Sequence, residues 1–248
     1  MLHHEGRTIG EVFFDAAERF AGNPFLIVPA DPARAYAADG WAASYGEVAA
    51  SVDSFVAALH CAGLGYGDRV AVLLENRPQM LTLKLALAAC GISWVPINPD
   101  YRAREIAYLL EDSGAMLAVV VGSRAAVMHE AIRLRVGGCP MVVWEGDGVP
   151  PLPMIREKAP RGELTPASEA SLLYTSGTTG RPKGCITSHE YELMMGARYA
   201  SLGGRAQIET AKERIYNPLP LFHVNAGIVL FYGMLLTGNA QVIPERFS

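Results

Sequence analysis

Eleven residues, Tyr174 to Gly184, read YTSGTTGRPKG and concentrate groups suited to one kind of partner. Thr175, Ser176, Thr178 and Thr179 carry hydroxyls, Gly177, Gly180 and Gly184 free the backbone to turn, and Lys183 supplies an ammonium beside Pro182. Glycine lets backbone N–H groups face an anion with no Cβ in the way, hydroxyls donate, and the cation neutralises charge, so a phosphate chain suits the segment. Runs of Ser, Thr and Gly also make ordinary solvated turns, and composition alone leaves both readings standing. Position favours phosphate. Residues 170–174, Ala-Ser-Leu-Leu-Tyr, form an apolar run that reads as a buried strand, and the loop follows its C-terminal end, where open α/β sheets bind ligands.

The familiar phosphate motifs do not fit. A Walker A loop needs a second glycine five residues after the first and a hydroxyl after its lysine, but Pro182 stands five residues after Gly177 and Gly184 follows Lys183. Gly63-Leu64-Gly65-Tyr66-Gly67 has the wrong final spacing for a dinucleotide fingerprint and closes a helical pattern, so it reads as a helix stop and turn.

The elements that must position the loop alternate along the chain. Thr8 caps a helix with Ile9, Val12, Phe13, Ala16, Ala17 and Phe20 at helical spacing. Phe25 to Val28 and Ala35 to Trp41 read as short strands, and Ser44-Tyr45-Gly46-Glu47 is a capping box opening a helix with Val48, Val52, Phe55, Val56 and Leu59 on one face. Strands 69–74, 92–97, 116–121 and 141–144 then alternate with helices 78–90, 102–112 and 123–136. After the loop, 188–202 and 225–236 read as helices and 214–217 and 240–243 as strands. Strands rich in Val, Leu and Ile, joined by helices, predict an α/β fold with a doubly wound, mostly parallel sheet.

At 248 residues, with 50% hydrophobic and 19% charged, the chain can bury a sizeable core. A formal charge of −4 gives no global field for nucleic acid or an anionic membrane. Cys61, Cys90, Cys139 and Cys185 are dispersed, which fits reduced thiols packed as small core residues better than disulfides or zinc. The start, MLHHEGRTIG, lacks a signal-peptide pattern, and the longest apolar run, 226–236, is too short to span a bilayer, so a cytoplasmic protein is expected.

The loop resembles, almost letter for letter, the phosphate-loop signature of the adenylate-forming superfamily of acyl-CoA synthetases, luciferases and peptide-synthetase adenylation domains. A second segment, 218–227 (PLPLFHVNAG), is similar to that family's next motif, with softer likenesses at Arg69–Asn76 and Trp94–Pro99. The resemblance implies that a carboxylate attacks the α-phosphate of ATP to give an acyl adenylate, and that a thiol, commonly coenzyme A, then displaces AMP. It places Thr175, Ser176, Gly177, Thr178, Thr179, Gly180 and Lys183 on the ATP phosphates. Lys183 and His223 become the catalytic candidates, and His223, Asn225 and Gly227 the acyl-pocket candidates. Asn225 is equally suited to cap the helix that starts there. Only four lysines accompany seventeen arginines, so a lysine in this loop is less easily read as a random surface charge. Lys212, in a polar turn, reads as a solvated charge.

Phe222-His223-Val224-Asn225 lacks the aspartate that amino-acid adenylation domains usually place nearby, so the resemblance favours the acyl-CoA ligase branch, with a texture similar to carnitine- or crotonobetaine-CoA ligases. The expected organisation is residues 1–43 as a helix and strand pair, 44–170 as the doubly wound subdomain, and 171–248 as the loop and the first part of a second subdomain. The family's adenine-stacking segment, its usual Mg2+ ligand and its C-terminal domain match nothing in these residues. Small carboxylic acids, ATP, Mg2+ and coenzyme A are the expected ligands, with no protein metal ligand in this chain and with self-association as a homo-oligomer. The alternative is a non-catalytic fragment that binds phosphate or a partner chain.

Overall fold

Thr8 accepts the Glu11 amide while Glu11 reaches back to the Thr8 amide, a reciprocal cap that starts α1 (Ile9–Arg19). The computed structural model describes residues 1–34, 36–146, 148–175 and 181–244. Strand β1 (Pro24–Val28) pairs antiparallel with β2 (Trp41–Ser44). The strand expected over Ala35–Trp41 is therefore displaced. The amides of Arg34, Ala37 and Gly40 are used in successive turns, and Gly40 sits at φ +84°, so only Trp41 onward reaches the ladder. Ser44 and Glu47 form the second reciprocal cap, opening α2 (Tyr45–Cys61).

Gly63 at φ +80° turns the chain after α2, and a Cβ there would lie 1.9 Å from the Arg156 carbonyl oxygen. Three βα steps follow, β3 (Arg69–Leu73) with α3 (Pro78–Ala89), β4 (Ser93–Pro96) with α4 (Ala103–Ser113), and β5 (Leu117–Val120) with α5 (Gly122–Leu134), and then the strands β6 (Met141–Val143) and β7 (Glu169–Thr175). A further strand, β8 (Lys183–Ser188), precedes α6 (His189–Ala200). The six strands run in the order β6-β5-β3-β4-β7-β8, parallel except for β8, which returns antiparallel on β7.

Alternate residues cover the two faces. Val70, Val72, Leu117 and Val119 join a core with α1, α2 and α3, whereas Ala71, Leu73, Ala118 and Val120 pack with Ile106, Leu110 and Met128 of α4 and α5. The sheet is thus α/β and wound on both sides, with a mixed edge.

Beyond α6 come β9 (Arg214–Tyr216), a π-helical segment (Asn225–Leu230), α7 (Phe231–Thr237) and β10 (Ala240–Val242). These strands complete a second sheet of order β2-β1-β10-β9, with β1, β10 and β9 parallel. Sheet membership cuts across chain order: the N-terminal strand pair joins strands that follow the loop. Cys90 and Cys139 are buried as expected, but Cys61 and Cys185 are exposed. Cys61 ends α2, and Cys185 lies in β8, most of which is uncovered.

Candidate active site

Thr175 and Lys183 face each other as the last described cross-strand pair of the β7–β8 hairpin. Ser176, Gly177, Thr178, Thr179 and Gly180 lie outside the described residues. Thr175 and Lys183 are both exposed. β8 was not expected as a strand, because the glycine and hydroxyl pattern of the loop runs directly into Gly184 and Cys185. The hairpin gives the lysine a fixed backbone position rather than a place in a floating turn.

Helix α4 steadies the returning arm. The Tyr108 hydroxyl donates to the Pro182 carbonyl at 3.2 Å, the Arg181 guanidinium stands 5.6 Å from the Tyr108 ring centre, and the Tyr174 hydroxyl donates to Asp112 at 2.7 Å. Burial, with the Asp112 hydrogen bond behind it, pushes the Tyr174 phenol well above its ordinary value, so it stays a donor. At the base of the hairpin, Arg69 grips Glu169 through two bonds of 2.7 and 2.8 Å. Next to the arm lies a cavity of about 380 Å³ whose walls include Arg69, Asp112 and Lys183.

The segment carrying His223 hangs from the other side of the same sheet edge. Asn76, just past β3, donates to the Leu219 carbonyl at 3.2 Å and accepts the Leu221 amide at 2.9 Å. β3, β4 and β7 are parallel neighbours, so Asn76 and Thr175 stand at the same C-terminal edge, and β3 is where the strand order reverses. Asn76 was legible only as part of a likeness, with no role attached. His223 is exposed, its ring 4.3 Å from that of Phe222, and its carbonyl accepts the Gly227 amide at 2.9 Å. No hydrogen bond or ion pair joins His223 to Thr175 or Lys183 among the described residues; they share the edge, not a contact.

Asn225 does not cap a helix. Val224 precedes the π-helical segment already in helical conformation and no side chain caps it, which leaves the exposed Asn225 amide free of that duty. Gly227 is buried, and a Cβ on it would lie 2.2 Å from the Leu221 carbonyl oxygen, so this glycine permits a close backbone approach.

The AMP-binding enzyme family model matches residues 13–248. The chain belongs to the AMP-binding enzyme family. Among its relatives, the sulfoacetate–CoA ligase of Cupriavidus necator is 30% identical over 97% of this chain and 46% of that protein. The long-chain-fatty-acid–CoA ligase FadD13 of Mycobacterium tuberculosis is 33% identical over 82% of this chain and 40% of its own length. The inhibitor-bound N-terminal domain of FACL13 from M. tuberculosis superposes with a TM-score of 0.77 at 25% identity, covering 98% of this chain and 58% of that one. ATP-bound MatB from Rhodopseudomonas palustris gives 0.73 at 22%, covering 98% and 46%. The chain therefore spans about half the length of these relatives, and its fold is the N-terminal part of the acyl-CoA ligase architecture.

In this member of the AMP-binding enzyme family one feature was missed by pattern reading. Lys84 of α3 and Glu192 of α6 are fully buried and paired at 2.9 Å. Glu192 also accepts from Ser171 of β7 and, at 2.7 Å, from Thr187 of β8, while Lys84 donates to the Gly227 carbonyl at 2.7 Å. Burial lowers the Lys84 pKa from its ordinary value, with Glu192 opposing that shift. The available signal was the one charged residue inside a mostly apolar helix, Pro78–Ala89, where a charge demands a buried partner. Lys212 is exposed, as expected of a solvated charge, and is paired to Glu209.

Proposed function

We propose that this chain is the phosphate-gripping and acyl-facing part of an ATP-dependent, AMP-forming acyl-CoA ligase. The observation that supports it most is that Thr175 and Lys183, from the two described ends of YTSGTTGRPKG, stand opposite each other in the β7–β8 hairpin, with Thr175 at the C-terminal end of β7. In the first step a carboxylate oxygen bonds to the α-phosphorus, the bond to the β-phosphate oxygen breaks, and pyrophosphate leaves. Negative charge grows on that leaving group, and hydroxyls with an ammonium already in place stabilise it without reorganisation. Lys183, as a compact cation, and Thr175, with Ser176, Gly177, Thr178, Thr179 and Gly180 as donors, take this role. In the second step the sulfur of coenzyme A attacks the acyl carbonyl carbon and AMP departs.

His223, exposed beside Asn225 on the segment held by Asn76, acts by positioning the carboxylate rather than by proton transfer. The described residues hold no group of three or more His, Cys, Asp or Glu side chains able to bind a metal, so the Mg2+ expected with ATP finds no ligand set among them. No described helix is long and apolar enough to cross a membrane.

The test is exchange of labelled pyrophosphate into ATP by the purified protein, with a panel of carboxylates from short sulfonated and dicarboxylic acids to fatty acids. Exchange that depends on one carboxylate class supports the ligase. No exchange, combined with a thermal shift on adding pyrophosphate, would leave a phosphate-binding chain without catalysis.

A further inference from the structure

The geometry points to Lys84 and Glu192 as a buried tie that fixes the π-helical segment 225–230 against the β7–β8 hairpin, making both of them positioning residues for the carboxylate site. Its kinetic consequence rests on the ligase reading above; its structural consequence does not.

The tie has three ends. Glu192 accepts from Ser171 and Thr187, one on each strand of the β7–β8 hairpin. Lys84 bonds Glu192 on one side and the Gly227 carbonyl on the other. Its ammonium stands 4.5 Å from the Trp94 ring centre and 4.8 Å from that of Tyr232, two aromatic faces that favour a desolvated cation there. Ser171 and Glu192 are 0% exposed and Lys84 1%, so water competes with none of these bonds.

Stability alone does not explain a charge pair in this place. Well-packed apolar side chains of the same volume usually serve a core equally well, because two ions must be stripped of water before they attract. What apolar side chains cannot do is hold a particular carbonyl at a particular distance. Here the carbonyl belongs to a π-helical segment, whose wider turn carries an extra residue relative to an α-helix, a form often kept at functional sites. Freed from Lys84, the segment can relax toward an α-helical register, and a one-residue change of register turns side chains about the axis by about 100°. His223, two residues before this segment, and Asn225, its first residue, would then present differently to a carboxylate held near the loop.

The decisive variant is Lys84→Met with Glu192→Gln in the same chain. It removes both charges, keeps volume, and leaves the Gln carbonyl to accept from Ser171 or Thr187. Its thermal midpoint is expected to stay close to that of the wild type, since the desolvation cost disappears with the attraction. Amide hydrogen exchange in residues 223–230 is expected to rise about tenfold, as a local opening made easier. In pyrophosphate exchange the KM for the carboxylate should rise about tenfold while that for ATP stays within about twofold, a split that general destabilisation does not produce. Wild-type protection over 223–230 overturns the tie. Faster exchange there with unchanged carboxylate KM overturns the positioning role.

A milder variant guards against loss of folding. Thr187→Val removes one hairpin bond to Glu192 and no bond to segment 225–230. The tie predicts that amide exchange in 225–230 nevertheless quickens, by a smaller factor; a change confined to residues 169–188 contradicts it. If the wild-type protein shows no pyrophosphate exchange at all, the ligase reading fails by itself, and the amide-exchange measurements still decide whether the tie exists.

Discussion

Lys183 and Lys84 are two of the four lysines in this chain, and they sit in opposite surroundings. Lys183 opens β8 with its side chain exposed, paired across the hairpin with Thr175. Lys84 is buried in α3, ion-paired to Glu192 and bonded to the backbone of the segment carrying the second motif. The first charge is open to solvent, and the second meets nothing but the protein. On the proposed reading these are two uses of one residue type: a cation kept hydrated until a phosphate replaces its water, and a cation desolvated to hold a frame. The loop motif advertises the first because its neighbours are glycines and hydroxyls. The second shows itself only when the fold brings α3 against α6.

The largest effect should come from breaking the buried member alone. Lys84→Met leaves the Glu192 carboxylate unpaired in the core, and the expected cost is about 3–5 kcal/mol, measured by urea unfolding. A loss below about 0.5 kcal/mol, ordinary for an exposed site, would remove Lys84 from the frame.

A smaller effect sharpens the electrostatic contrast. His189 adjoins this pair at the start of α6, accepts the Ile9 amide at 3.1 Å through Nδ1, and is held down to about 4 by burial, with Lys84 adding to the depression and Glu192 opposing it. Because its folded pKa lies below the unfolded value of about 6.5, its contribution is complete above that pH and is lost as pH falls from there toward 4. At about 1.4 kcal/mol per pH unit, the protein should lose about 2 kcal/mol from this residue on going from pH 7 to 5. His189→Asn, which keeps an acceptor for the Ile9 amide, should flatten that part of the slope; an unchanged slope would contradict a neutral buried imidazole.

The smallest expected effect is the control. Lys212→Ala removes an exposed charge paired to Glu209, and the unfolding free energy should not change measurably. A measurable loss would erase the contrast between framed and solvated lysines.

Local signals in the sequence carried far. The Thr8 and Ser44 caps, the Gly63 stop and the βα alternation are set by neighbours within a few residues, and each lies where periodicity places it. Long-range signals did not carry. β8 reads as loop because its pairing with β7 is decided by the hairpin and not by its own alternation, and it is exposed over most of its length. The strand expected at Ala35–Trp41 fails because the amides of Arg34, Ala37 and Gly40 are already used in turns. The π-helical segment has the same apolar pattern as an α-helix, so only the backbone distinguishes them. Asn76 and Glu192 are ordinary polar residues in sequence; one clamps Leu219 and Leu221, the other binds Ser171, Thr187 and Lys84, all through contacts remote along the chain.

The most direct measurement is carboxylate-dependent pyrophosphate exchange by the Lys183→Ala variant beside the wild-type protein, with thermal unfolding of both. Removing one preorganised charge from the leaving-group site should slow exchange about 10²–10³-fold. Because Lys183 is exposed, the unfolding temperature should hardly move. Equal exchange rates in the two proteins, at equal stability, would contradict the assignment of this loop as the pyrophosphate grip.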